Sequence, residues 1–119
     1  MEIKLFDSEL RVMEILWREG GISASELAVI LNHETGWNRN TTYTVIKKLI
    51  AKEAIQRMEP NFMCIPLIHK EQVQTYETKG LINKMFDGST EMFFSAFLNE
   101  KNLTKKDIDK LKKIVERLS

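Results

Sequence analysis

Apolar residues recur at helical spacing from Asp7 to Glu19, with Leu10, Met13 and Leu16 beside Trp17 and with Val12 and Ile15 widening the stripe. That period predicts a helix, and Gly20-Gly21 marks its end. Ser23, with Glu26 three residues on, reads as a capping box. The helix it opens buries Leu27, Ile30 and Leu31 and is expected to fade by Asn32. His33 to Trp37 form a short connection, and Asn38 caps a third helix that runs to Lys52. Ala54 to Met58 and Phe62 to Ile65 read as two short strands around Glu59-Pro60-Asn61, a turn-forming trio. Pro66 is expected to end the second strand early.

The two halves of the third helix differ. Asn40, Thr41, Tyr43 and Thr44 make its first turns polar, whereas Val45, Ile46, Leu49 and Ile50 form an apolar stripe in the back half. Lys47, Lys48 and Lys52 lie on the other side. A core helix has no need of an amide- and hydroxyl-rich start. A helix that enters the major groove with its N-terminal end needs both features, because its first residues meet base edges while its tail is anchored. Three helices with short links, the third polar at its start, make a helix-turn-helix pattern, and the hairpin behind them is a wing. The expected fold is mainly α with a small β-hairpin wing, the head covering residues 1–69.

The rest of the chain predicts three more helices. Lys70 to Met85 carries Val73, Tyr76, Leu81, Ile82 and Met85, and Asp87-Gly88 breaks it. Ser89 opens the next, which packs Met92, Phe93, Phe94, Phe97 and Leu98 into few positions. Thr104 caps the last in a second capping box with Asp107, and its stripe is Ile108, Leu111, Ile114, Val115 and Leu118. A winged-helix head has little room to cover three further amphipathic helices. Residues 70–119 are therefore expected to form a homodimerisation region through Leu81, Met85, Phe93, Phe94, Phe97, Ile108, Leu111, Ile114, Val115 and Leu118. A larger monomeric six-helix fold is the alternative.

Charge changes the picture once it is divided. The chain's net charge is only +1, but residues 1–37 hold three Lys/Arg against seven Asp/Glu. Residues 38–57 hold five basic residues against Glu53 alone. Positive charge thus gathers on the third helix and first strand, where contact with a phosphate backbone needs it. The candidate DNA-contacting residues are Arg39, Asn40, Thr41, Tyr43, Thr44, Lys47, Lys48, Lys52, Arg57 and Asn61.

Other chemistry is thinly represented. Cys64 and His69 have no second ligand pair nearby, so neither a metal nor another cofactor is expected. No phosphate loop, nucleophile elbow or HExxH sequence occurs, and an enzyme is not expected. No run approaches the ~18 apolar residues of a membrane span, and MEIKLFDSEL lacks a signal core. With Cys64 as the lone cysteine, a cytoplasmic protein without membrane insertion is expected.

LRVMEILWREG, GWNRNTTYTVIKKLIAKEAI, IPLIHKEQV and LINKMFDGSTEMFFSAFLNEKNLTKKDIDKL, in this order, resemble the penicillinase-repressor family of Gram-positive bacteria (BlaI, MecI and CopY types). The similarity runs from Phe6 to Leu118, and its most specific parts are Met13 to Trp17, the entry around Trp37 and the break at Phe86 to Ser89. The resemblance implies a dimeric winged-helix repressor on a dyad operator of double-stranded DNA. It also implies base contacts from Asn40, Thr41, Tyr43 and Thr44, with Lys48 toward phosphates. In the β-lactam branch, to which this chain is the more similar, a membrane sensor peptidase relieves repression by cutting an Asn-Phe bond. Ala96-Phe97 stands at that place here, without the asparagine. The wing tip, Met58 to Phe62, lacks the basic tip of relatives, and the C-terminus lacks the Cys-x-Cys pairs of the copper branch. The competing reading is a winged-helix protein-interaction module without DNA binding, which an apolar or acidic start to the third helix would favour.

Overall fold

Helix α1, Asp7–Glu19, starts where Glu9 turns its carboxylate back to accept the Phe6 N–H at 2.8 Å. The computed structural model describes residues 4–98 and 104–118, with the side chains of Phe97, Leu98, Val115 and Leu118 outside that description. Val12, Met13, Ile15 and Leu16 form the buried side of α1, and Gly20 stops it in a positive-φ conformation (78°). Past Gly21, Ile22–Ser23 form a strand, β1, that the sequence pattern did not announce. Two residues carry no alternation to read. What makes them a strand is pairing far along the chain, Ile22 with Cys64 and Ser23 with Met63.

Helix α2, Ala24–Thr35, opens on Ser23, whose Oγ accepts the Glu26 N–H at 3.1 Å. The Ala24 N–H, a free donor of the first turn, is taken by the Phe62 carbonyl at 2.9 Å. The helix does not fade at Asn32 but continues to Thr35. Gly36 ends it in the left-handed region (φ 80°), donating its N–H to the Asn32 carbonyl at 2.9 Å. Helix α3, Arg39–Ala51, is capped by Asn38 Oδ1, which accepts the Thr41 N–H at 2.8 Å. Its inner side, Thr42, Val45, Ile46 and Leu49, is buried against α1 and α2.

Strands β2, Ile55–Met58, and β3, Met63–Pro66, complete a three-stranded antiparallel sheet in the order β1-β3-β2. Pro66 lies within β3, opposite Ile55, and does not end it early. Leu67 donates its N–H to the Ala54 carbonyl at 2.9 Å, so the neighbouring Ile55–Pro66 pair falls on a non-hydrogen-bonded site of the ladder. A proline there gives up no bond to β2.

The chain forms two compact units that divide after Val73. The first turn of helix α4, Lys70–Met85, belongs with the head: Ile68 and Val73 are buried in its core, and Trp17 Nε1 donates to the Ile68 carbonyl at 3.0 Å. The second unit holds the rest of α4 with α5, Thr90–Leu98, and α6, Lys105–Leu118. Thr104 and Asp107 cap α6 reciprocally, at 3.1 and 3.2 Å. Leu81, Met85 and Ile114 are exposed, and Phe94, Ile108 and Leu111 half-buried. Phe93, expected on a shared surface, is instead buried within the chain, its ring edge-on to Phe86 at 5.5 Å. The side chains of Phe97, Val115 and Leu118, named for the same surface, lie outside the described residues.

Candidate nucleic-acid interface

The outward side of α3 follows from its period. At 100° per residue, Asn40, Thr44, Lys47 and Ala51 fall in one band, with Thr41 and Lys48 beside it, and all six are exposed. The Thr44 hydroxyl donates to the Asn40 carbonyl at 2.9 Å, which fixes its side chain against the helix while its oxygen keeps acceptor capacity. No carboxylate lies on α3, so nothing on the helix offsets the positive end of its dipole.

Tyr43 is placed differently from its exposed neighbours. Its ring is half-buried and meets Phe62 edge-on at 5.8 Å, and its hydroxyl accepts a hydrogen bond from Arg39 at 2.9 Å. The Arg39 guanidinium also lies over the Tyr43 ring, 5.0 Å from its centre. Tyr43 therefore joins the helix to the wing.

Phe62 is the residue that pattern reading missed. Its ring takes the Tyr43 edge and the Arg57 guanidinium, the latter 3.8 Å from the ring centre. Its carbonyl receives the Ala24 N–H, and its own N–H faces Glu59 Oε2 at 3.4 Å. Arg57 donates Nε–H to Glu59 Oε1 at 2.6 Å. Asn61 and Phe62 both have positive φ, 72° and 49°, so the tip folds Phe62 back under Tyr43. An aromatic residue directly after a Pro-Asn turn was the available signal. Asn61 itself is exposed at the tip.

Lys52 leaves the set expected on DNA. Its ammonium pairs with Glu9 Oε1 at 2.6 Å, donates to the Lys4 carbonyl at 3.1 Å and lies 4.7 Å over the Phe6 ring. The physical reason is position: the last turn of α3 meets the first turn of α1, where a buried carboxylate needs a cation. Cys64 is buried, and burial pushes its thiol up to about 11, so it stays a protonated core residue. His33 and His69 are exposed, and no group of three or more His, Cys, Asp or Glu among the described residues is placed to hold a metal.

A family model described as penicillinase repressor matches residues 5–117. The chain belongs to that family. The penicillinase repressor of Bacillus licheniformis is 24% identical over 115 residues, covering 95% of this chain and 90% of its own. A solution structure of the DNA-binding domain of the repressor BlaI matches with a TM-score of 0.56 at 26% identity, over 60% of this chain and 90% of that one. A second solution structure, of the Bacillus licheniformis BlaI monomeric form in complex with the blaP half-operator, matches with a TM-score of 0.53 at the same identity and coverage. The head of this penicillinase-repressor family member is a winged helix, with β2 and β3 as its wing. No described helix is long and apolar enough to cross a membrane.

The Glu9–Lys52 pair separates two lysines that sequence reading grouped together. The Glu9 side chain is 1% exposed and the Lys52 side chain 31%. Removing the cation strands a buried carboxylate, one of whose oxygens, Oε2, already has no hydrogen-bond partner. Lys52→Ala is expected to lower the unfolding free energy by about 2 kcal/mol, less than for a fully dry pair because the ammonium is partly hydrated. Lys48→Ala should leave it within ~0.5 kcal/mol. Urea unfolding of both variants reads this, and equal stability of the two would contradict the role given to Lys52.

Proposed function

We propose that this chain is a sequence-specific DNA-binding repressor that sets the outward band of α3 into the major groove of an operator. The observation that carries the proposal is that band: Asn40, Thr41 and Thr44 exposed at a capped helix start, with Lys47 and Lys48 on the same side and no carboxylate. Amides and hydroxyls at a helix start match the donor and acceptor pattern of base edges, while lysines further along reach phosphates. Arg39 stands beside the helix start, and Arg57 and Asn61 stand on the wing, as candidates for backbone contact. The BlaI relative bound to a half-operator supports placing one head on one half-site.

The proposal extends to a homodimer. Leu81, Met85 and Ile114 leave apolar surface uncovered in the second unit, with Leu111 and Ile108 half-covered beside it. A second copy covering them would set two heads on a dyad, with half-sites about 34 Å or a multiple apart. The genes governed are proposed to be β-lactam resistance genes, following the name of the Bacillus licheniformis relative. Relief by a sensor peptidase at Ala96-Phe97 is proposed to be slow. The bond lies inside α5, which must unwind to be cut, and Ala96 stands where the asparagine is expected.

Enrichment of tight-binding duplexes from a random pool defines the operator and tests the reading. On that duplex, Thr44→Ala should weaken binding about tenfold or more, since a base contact contributes ~1–3 kcal/mol of discrimination. Binding to random DNA should be nearly unchanged, and equal losses on both would remove Thr44 from base readout. Sedimentation of the free protein at micromolar concentration should show a dimer that Leu111→Ala with Ile114→Ala weakens by at least about tenfold. A monomeric wild type contradicts the second-copy reading. Mass spectrometry of the repressor from β-lactam-treated cells should show mostly intact chain, and a dominant fragment ending at Ala96 would mean that the peptidase accepts alanine.

A further inference from the structure

The wing holds its cation against its own anion. Arg57 is fixed from two sides, with its guanidinium on the face of Phe62 and its Nε–H bonded to Glu59 at 2.6 Å. Both side chains remain about half exposed, 50% for Arg57 and 61% for Glu59, so the pair stands open to solvent and to any polyanion that approaches the tip. The hydrogen bond from Arg57, reinforced by the Phe62 N–H, holds the Glu59 carboxyl below the usual carboxylate range. Glu59 is thus anionic throughout the neutral range. Through Phe62 and Tyr43 the same stack reaches Arg39 at the start of α3, which places Glu59 at one end of a continuous ladder from helix to wing tip.

Resting on the DNA-binding reading above, we infer that Glu59 is a built-in competitor for Arg57, holding down the wing's contribution to phosphate binding. The physical ground is counterion release. A cation that neutralises a phosphate steepens the salt dependence by about 0.9 of a log unit per log unit of salt. A phosphate that takes Arg57 must either displace Glu59 or accept the glutamate charge beside it. In the first case the contact forms at the expense of the Arg57–Glu59 pair, and in the second the pair brings no net charge to the backbone. The wing therefore adds little to binding of any sequence, and affinity rests on the outward band of α3. Glu59 acts through Arg57 and is a positioning residue, not itself a DNA contact.

Glu59→Gln tests this with little change of shape. The glutamine amide oxygen still accepts the Arg57 Nε–H, so the stack on Phe62 keeps its anchor, while the charge is gone. The full-length protein is titrated with its enriched operator and with a random duplex across a salt series, for wild type, Glu59→Gln, Arg57→Gln and the double variant. Glu59→Gln should tighten binding to both duplexes about two- to fivefold, the range of a solvent-exposed ion pair. It should also steepen the salt dependence by about one unit. In the Arg57→Gln background the same change should give less than half of that gain. Unchanged affinity and slope in Glu59→Gln would overturn the inference, as would a gain of equal size with and without Arg57, or weaker binding. Those outcomes leave the DNA-binding reading standing as long as the wild type binds its operator. A wild type that binds no duplex at all overturns both.

Discussion

What this head presents depends on α3 being gripped along one side only. Thr42, Val45, Ile46 and Leu49 are buried against the first two helices, and burying each aliphatic side chain contributes about 1.5–3 kcal/mol. A helix held along one stripe still has freedom to roll or slide, and both freedoms are removed at its ends. Asn38 fixes the first turn by taking the Thr41 N–H, and Lys52 fixes the last by reaching Glu9 beneath α1. With stripe and ends fixed, the direction of Asn40, Thr44 and Lys47 is set before any partner arrives. That is preorganisation in the ordinary sense: ordering that a ligand does not have to induce.

The wing is tied to this helix by side chains more than by backbone. Phe62 sits in the left-handed region, where a bulky residue costs on the order of 1–2 kcal/mol. Its contacts offset the cost: the Tyr43 edge, the Arg57 guanidinium on its face, and a carbonyl that takes the first free N–H of α2. Aromatic pairs and cation–π contacts each contribute roughly 0.5–1.5 kcal/mol at such sites. The small sheet adds its share through the pairing of β1 with β3. Helix and wing thus share one set of contacts, and a change in Phe62 acts on both.

How much of this was legible in the sequence depends on the range of the interaction concerned. Helices and their starts were legible, because Ser23, Asn38 and the Thr104–Asp107 pair act on N–H groups within three residues. The stop of α2 was misplaced because apolar spacing ran out before Gly36 did its work. Strand β1 was invisible, since two residues become a strand only through a partner 40 positions away in register. Lys52, Tyr43 and Phe93 have partners within the chain that the sequence did not reveal, for one shared reason. Periodicity tells which side of a helix a residue lies on, but not which group from elsewhere meets it: Glu9, Phe62 and Phe86 do so here.

The charge distribution takes on a different meaning once these partners are known. Five basic residues lie between positions 38 and 57, against Glu53 alone. Lys52 answers a buried carboxylate and Arg57 an exposed one. Arg39, Lys47 and Lys48 then remain without a carboxylate partner among the described residues, and Arg39 is turned toward the Tyr43 hydroxyl. In a head that binds DNA as proposed, three cations give only a shallow electrostatic hold, because sequence-independent affinity scales with the phosphates neutralised. Such a head has to draw its strength from base contacts at the start of α3 and from the linkage of two heads in the proposed dimer, where the second half-site is met at high effective concentration. Weak backbone binding is then an asset. A protein that holds random DNA loosely is less often sequestered away from its operator, and in the proposed reading discrimination falls to the few exposed polar residues that the buried side of α3 keeps in place.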